Sequence, residues 1–249
     1  MNAYKYPQYY DLAFSYRDIK GEVDFLDAII QKFSLIPVVK MLELASGNSP
    51  YLPELVRRNY SYTGLDLNQE MIDYAATSST NLEGDIQFTA QDMNDFHLTY
   101  KVDLVYVLLG SFYAKSNKEC LQHFDRVADS LNQGGLYMLD EVVFFNLFDD
   151  RPSQWTMEEN GVEVKVTYKP EIVDPTLQTH NEYLLFDVND RGRRRRIESR
   201  VLHKFYFPQE FLSLVEQNGK FEFIGWFDDF NIERPATATG RQIVVLRKK

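Results

Sequence analysis

The run Val102-Asp-Leu-Val-Tyr-Val-Leu-Leu109 limits the fold of this chain more than any other feature. Its apolar residues fall on both faces of an extended chain, so as a strand it must be covered above and below. Strands of that kind belong to parallel sheets sandwiched between helices. Three shorter runs precede it, at residues 38–45, 60–66 and 86–90, each followed by a turn or helix signal. Pro50 and Pro53 fall at or just before a first helical turn, where a missing amide costs little. Asn68 is placed to cap a helix over 69–76. After the fourth run, Leu121, Phe124, Ala128 and Leu131 form one stripe of a helix from about 118 to 131, with Asn117 as its cap. Gly134-Gly135 ends that helix, and Leu136-Tyr-Met-Leu139 supplies a fifth strand. The expected class is therefore α/β, with a Rossmann-like, doubly wound, mostly parallel sheet.

The rhythm changes between about 149 and 206. Gly161-Val-Glu-Val-Lys-Val-Thr-Tyr168 alternates with period two, as a half-exposed strand does. Residues 182–188 and 198–207 are further strand candidates, and Asn189-Asp-Arg-Gly192 is a hairpin-turn signal. Three inserted antiparallel strands are expected over one end of the main sheet. A helix at 209–217 and strands at 221–226 and 242–246 then complete seven strands. The 249 residues fit one domain. Its parts are an N-terminal helical lid (1–36), a core (37–148 and 207–249) and the insertion (149–206).

Charge narrows the partners. With 27 basic and 37 acidic residues the formal charge is -10, which repels phosphate backbones and argues against nucleic acid. The run Arg193-Arg-Arg-Arg196 reads as a solvated hairpin. One cysteine, Cys120, excludes an intrachain disulfide and a cysteine metal cluster. His97, His123, His180 and His203 are scattered without metal-ligand spacing, so each is expected in the core or in solvent, and no metal is expected. No run approaches the roughly 18 apolar residues of a membrane span, so the expectation is a cytoplasmic protein without a membrane partner. The 18 Phe and 16 Tyr suit a core and a small-molecule pocket.

Ligands of open parallel sheets bind beyond the carboxyl ends of the strands. Glu43, Asp66 and Asp92 stand at three such ends. The turn Ala45-Ser46-Gly47-Asn48 lets a ligand approach the backbone, because glycine has no side chain to exclude it. Asp66 lies 19 residues beyond Gly47, the distance at which a carboxylate can accept both hydroxyls of a ribose. Asp92 closes the third strand and can accept from an exocyclic amine. A single glycine is too few for the G-x-G-x-x-G cradle of a nicotinamide dinucleotide.

In these residues the chain resembles the class I S-adenosylmethionine-dependent methyltransferases, of the small-molecule type with inserted antiparallel strands. The resemblance rests on Leu42-Glu43-Leu-Ala-Ser-Gly47-Asn, Tyr62-Thr-Gly-Leu-Asp66-Leu-Asn-Gln-Glu-Met71-Ile-Asp-Tyr-Ala75 and Gln91-Asp92-Met93. It continues through Val102-Asp-Leu-Val105 and Leu131-Asn-Gln-Gly-Gly135-Leu-Tyr-Met-Leu139. It departs from the family where Asn48-Ser49-Pro50 replaces a later glycine. It implies S-adenosyl-L-methionine as cofactor. Glu43 and the backbone of Ala45, Ser46 and Gly47 would hold the methionine portion, and Asp66 the ribose. Leu67 and Met71 would lie on the adenine side, with Asp92 on the adenine amine and the Met93 amide on a ring nitrogen. Leu108 and Leu109 would pass close to the sulfonium.

Tyr16 and Arg17 in the lid are further cofactor candidates, although Arg17 is expected to pair at the surface with Asp18 or Glu22 unless the lid folds inward and brings it to the cofactor's carboxylate. Tyr9 and Tyr10 of the lid, with Ser111 and Phe112 after the fourth strand, are candidates for the substrate face. Glu141 and Tyr113 are the catalytic candidates, Glu141 because it stands at the crevice end of a strand. The expected activity is methyl transfer to N, O or C of a small molecule. The alternative on the same fold is a non-catalytic binding or regulatory protein, which the missing glycine and the lack of an obvious base would suit.

Overall fold

A computed structural model describes residues 2–143 and 152–249. The expected boundary between core and insertion, at 148/149, lies outside the described residues. Five parallel strands build the core: β1 (Lys40–Leu44), β2 (Ser61–Asp66), β3 (Ile86–Ala90), β4 (Val102–Val107) and β5 (Leu131–Asp140). The insertion contributes β6 (Ser153–Glu159), β7 (Val162–Asp174), β8 (Thr179–Asp190) and β9 (Arg193–Lys204), all antiparallel in a separate sheet. β10 (Phe221–Asp228), β11 (Asn231–Pro235) and β12 (Gln242–Lys248) return to the main sheet and extend it antiparallel beside β5. The main sheet runs β11-β10-β12-β5-β4-β1-β2-β3.

β4 is buried throughout, as its composition demands. Val105 and Val107 pack with Phe124 and Val127 of α5 (Asn117–Ser130), while Leu104 and Tyr106 face Leu26 and Ile29 of α2 (Ile19–Phe33) on the other side. Each such side chain contributes about 1.5–3 kcal/mol by leaving water. β4 pairs with β1 on the side opposite β2, so the strand order reverses between β1 and β4. A crevice opens beyond their carboxyl ends, where ligands of open α/β sheets bind.

Three details differ from the sequence reading. The main sheet has an eighth strand, β11, joined to β10 by Asp229-Phe230 with φ of +49° and +53°. Asp229 is a common turn residue, but Phe230 stands where a hairpin usually has glycine, so the sequence announces this turn only weakly. The inserted sheet has four strands rather than three. Its extra strand, β6, meets β7 through Asn160-Gly161 (φ +52° and +79°), a hairpin signal that was available and overlooked. α5 is capped by Ser116, whose hydroxyl accepts from the Glu119 amide, and not by Asn117. Ser116 has the extended backbone a cap requires, whereas Asn117 is already helical.

The N-terminal segment is divided: α2 packs on the core, whereas the residues before it pack on the insertion. Tyr9, Leu12 and Ala13 of α1 (Pro7–Ala13) pack against Val164, Val166, Phe186 and Ile197 of the antiparallel sheet. Trp155 Nε1 donates to the Ala13 carbonyl at 2.7 Å. Together they form a roof over the carboxyl ends of the parallel strands. The remaining helices are α3 (Leu52–Arg57), α4 (Gln69–Ser78) and α6 (Pro208–Asn218).

Candidate active site

The backbone is left-handed at three neighbouring strand ends. Ala45, Gly47 and Ser49 follow β1 with φ of +53°, Leu109 and Gly110 follow β4 with +58° and +61°, and Glu141 follows β5 with +53°. Non-glycine residues pay roughly 1 kcal/mol or more for this conformation, and it persists only where neighbours enforce it. Here the Ser46 amide donates to the Leu65 carbonyl (2.9 Å), Leu109 N to Asp140 Oδ2 (2.8 Å) and Glu141 N to the Gln242 carbonyl (2.8 Å). At Gly47 a Cβ would meet nothing within 4 Å, so the loop turns an open face to the crevice.

Asp66, at the end of β2, is fixed by two backbone amides: Gly47 N donates to Oδ2 (2.9 Å) and Asn68 N to Oδ1 (2.8 Å). Burial raises its pKa, and the Asn68, Gly47 and Leu67 amides pull it back. Leu67 beside it is exposed, and Met71 is buried in α4. Asp92 follows β3, where Oδ1 accepts from the Asn94 amide (2.8 Å) and the Tyr113 hydroxyl (3.5 Å). Met93 is buried and its carbonyl accepts from His123 Nδ1 (2.9 Å). Gly47 and Asp66 are thus joined by a hydrogen bond, and Asp92 follows β3, the strand beside β2.

Glu43 has a different place from the expected one. It is 3% exposed, and its carboxylate accepts from the hydroxyls of Tyr62 and Tyr106. The Tyr62 oxygen also accepts from Ser49 Oγ at 2.9 Å, since its single proton goes to Glu43. Burial lifts the Glu43 carboxyl to about 8, against the pull of these hydroxyls. Glu43 therefore braces the loop from below. Ser46 is likewise buried, and half-buried Ala45 packs on the core.

A cavity of about 120 Å³ lies above the loop, lined by Tyr10, Asp11, Arg17, Asn48, Pro50 and Leu109 among others. Leu108 is buried just beneath. Arg17 does pair with Glu22 (2.5 Å), but the two side chains are only 5% and 7% exposed, so this is a buried pair and not a surface one. The guanidinium also lies 4.8 Å over the Tyr51 ring. Tyr16 is exposed, its ring edge-on to Trp155. Asp11 ties α1 to the loop: Asn48 Nδ2 donates to Oδ1 (2.6 Å) and the Tyr74 hydroxyl to Oδ2 (2.9 Å).

Glu141 stands at the crevice with its side chain 49% exposed. A Cβ on Gly110 would lie 3.8 Å from its Oε2, which places the carboxylate beside the end of β4. Burial in the cleft and the charge of Asp140 raise its pKa to about 7, with Arg241 and Arg17 opposing them. Arg241 hydrogen-bonds to the fully buried Asp140 and comes within 3.7 Å of Glu141. Sequence reasoning missed Asp140 and Arg241. They meet across 101 positions, a separation at which no local pattern could pair them.

The roof adds residues the sequence did not flag. Glu182 of β8 accepts from the Tyr4 hydroxyl at 3.2 Å. Its charge acts on Tyr4, Tyr10 and Tyr168, and on Glu141, so these side chains lie near one another. His180 and His203, expected as unrelated residues, stand opposite each other on β8 and β9 with rings 5.5 Å apart. Tyr113 is half-buried; burial, then the charge of Asp92, raises its hydroxyl well above the ordinary value.

Residues 41–135 match the family model described as methyltransferase domain. Among solved structures, an S-adenosylmethionine-dependent methyltransferase from Clostridium acetobutylicum ATCC 824 superposes with a TM-score of 0.79 at 19% identity, covering 96% of each chain. The amino pentose methyltransferase CalS10 from Micromonospora echinaspora, bound to its cofactor, gives 0.75 at 17% identity and 96% of each chain. The sugar N-methyltransferase KedS8 from Streptoalloteichus sp ATCC 53650 gives 0.76 at 19%, covering 96% of this chain and 93% of that one. At these identities the superpositions establish the fold. Residues 41–135 are thus similar to a methyltransferase domain, and the chain as a whole shares the fold of these solved methyltransferases.

Proposed function

We propose that this chain transfers a methyl group from S-adenosylmethionine to the nitrogen of a small amine, of the amino-sugar type. The observation that carries cofactor binding is the Asp66 carboxylate, held by the Gly47 and Asn68 amides beside a loop face open at Gly47. Backbone amides engage part of the carboxylate's four lone-pair positions, which leaves acceptor capacity for a ribose hydroxyl. Asp92 and the Met93 amide would receive the adenine, with Leu67 and Met71 alongside. The backbone of Ala45 to Gly47, with Leu108 and Leu109, would flank the methionine portion in the cavity that Arg17 and Tyr16 approach from the lid. Glu43 would act through Tyr62 and Ser49.

When bound, the cofactor supplies an already electrophilic methyl group, so the protein's task is to align a nucleophile and exclude water. The roof covers the strand ends. Asp140 and Arg241 set the position of Glu141, whose carboxyl, raised to about 7, is poised to take a proton from an ammonium acceptor. Tyr113 would line the acceptor's path.

Nitrogen is favoured over oxygen or carbon by the character of the cleft. Glu141 and Glu182 bring two carboxyl groups to it, whose pKa values burial raises so that each can take up a proton, and tyrosine rings give it π faces that attract cations. The cations present, Arg17 and Arg241, are already paired with carboxylates. The amino pentose and sugar N-methyltransferase activities of two similar structures point to the same acceptor class.

Calorimetric titration with S-adenosylhomocysteine tests the cofactor site. Binding to the wild type is expected, with Asp66→Ala weaker by at least about tenfold, or ~1.4 kcal/mol. Equal binding by both proteins, or none by the wild type, would contradict the assignment.

A further inference from the structure

We propose that Glu182 and His203 together form the subsite that receives the acceptor's amino group, a reading that rests on the proposed transfer to nitrogen. His203 lies directly opposite His180 in the β8–β9 register, and Glu182 is two residues on from His180, hence on the same face of the roof. His203 is 6% exposed. Its ring donates to the Phe112 carbonyl, in the loop that follows β4. Burial holds the imidazole neutral, with its pKa lowered to about 4. A neutral imidazole that donates from one nitrogen offers a lone pair on the other.

That other nitrogen, Nε2, has no hydrogen-bond partner among the described residues. It faces Glu182 Oε2 at 3.9 Å. The second oxygen of Glu182 is already engaged by the Tyr4 hydroxyl. Two acceptors thus confront each other with no donor between them. A proton on Glu182 would not close the gap, because 3.9 Å exceeds hydrogen-bond reach. The arrangement suits one group that carries at least two N–H or O–H bonds, a demand that a water meets in the free protein and that, among the functional groups of a small acceptor, an amine meets and a hydroxyl does not.

An ammonium or amine nitrogen has them. A hydroxyl has one proton and would satisfy a single acceptor. A carboxylate or phosphate would be repelled by Glu182 and offers His203 nothing. The surrounding rings agree with a cation: Tyr4 and Tyr10 lie 5.6 Å apart beside Glu182, and Tyr113 lies 5.8 Å from His203. Tyr113 in turn reaches Asp92, so the subsite adjoins the crevice in which the cofactor is expected.

The test uses the full chain, labelled with ¹³C and ¹⁵N at histidine, saturated with S-adenosylhomocysteine and titrated with glucosamine or glucose. The His203 ring signals, assigned by their loss in His203→Gln, should move with glucosamine and stay still with glucose. Glu182→Gln, which keeps the side chain's shape, should weaken the glucosamine response at least tenfold while leaving S-adenosylhomocysteine affinity unchanged. An equal response to both sugars, no response of His203, or an unaltered response in Glu182→Gln would overturn the proposal. Failure of the wild type to bind S-adenosylhomocysteine is read separately and would overturn the methyl-transfer reading instead.

Discussion

Glu141 concentrates the opposing influences in this site. Its backbone is left-handed, its amide is anchored to Gln242, and its carboxyl is raised by burial and Asp140 while Arg241 and Arg17 resist. If it accepts the acceptor's proton, it must be ionised to act. The kcat/KM of the wild type should therefore rise with pH through about 7. In Glu141→Gln that rise should vanish and kcat/KM should fall by about 10²-fold at pH 8, with S-adenosylhomocysteine affinity retained. An unchanged pH profile would remove Glu141 from the chemistry. At this scale the pairing of Gly47 with Asp66 was legible, because both sit at fixed places in a strand-helix-strand unit. Arg241, Glu182 and His203 were not, since each reaches the crevice from a distant part of the chain. Glu43 misled for a related reason: its position at a strand end is visible in the sequence, but the tyrosines that engage it beneath the loop are not.

Among the elements, α1 links the roof to the cofactor loop. Its apolar side packs on β7 and β8, and Asp11 reaches Asn48 on the loop and Tyr74 on α4. Asp11→Ala should leave the roof packed but loosen this latch. Because exposed contacts of this kind are worth about 1 kcal/mol or less, S-adenosylhomocysteine should dissociate only about two- to fivefold faster. Stopped-flow displacement would measure it, and an unchanged rate would deny the latch a part in cofactor retention. The parallel core was readable because β4 is apolar on both faces and leaves no other arrangement. The roof was only partly readable. Asn160-Gly161 announces the β6–β7 hairpin through its backbone preference, whereas Asp229-Phe230 adopts the same kind of turn mainly under tertiary packing.

At the scale of the whole molecule, the buried carboxyl of Glu43 links folding to pH. Its folded value of about 8 lies above the ordinary 4.5, so between them the folded state holds a proton that the unfolded chain has released. The associated stability is complete below about 4.5 and is lost as pH rises toward 8. Replacing the group by a neutral isostere, Glu43→Gln, should flatten the fall in melting temperature between pH 5 and 8.5. Parallel curves for the two proteins would show that Glu43 is already ionised in the fold.

The central claim, methyl transfer to an amine, is tested most directly by supplying S-adenosylmethionine with a ¹³C-labelled methyl group. Amino sugars and their hydroxyl counterparts serve as paired acceptors, and the products are read by NMR. The account predicts a new N-methyl resonance with at least one amino sugar and none with its hydroxyl partner. Label appearing on oxygen or carbon, or no transfer to any acceptor by protein that binds S-adenosylhomocysteine, would contradict it.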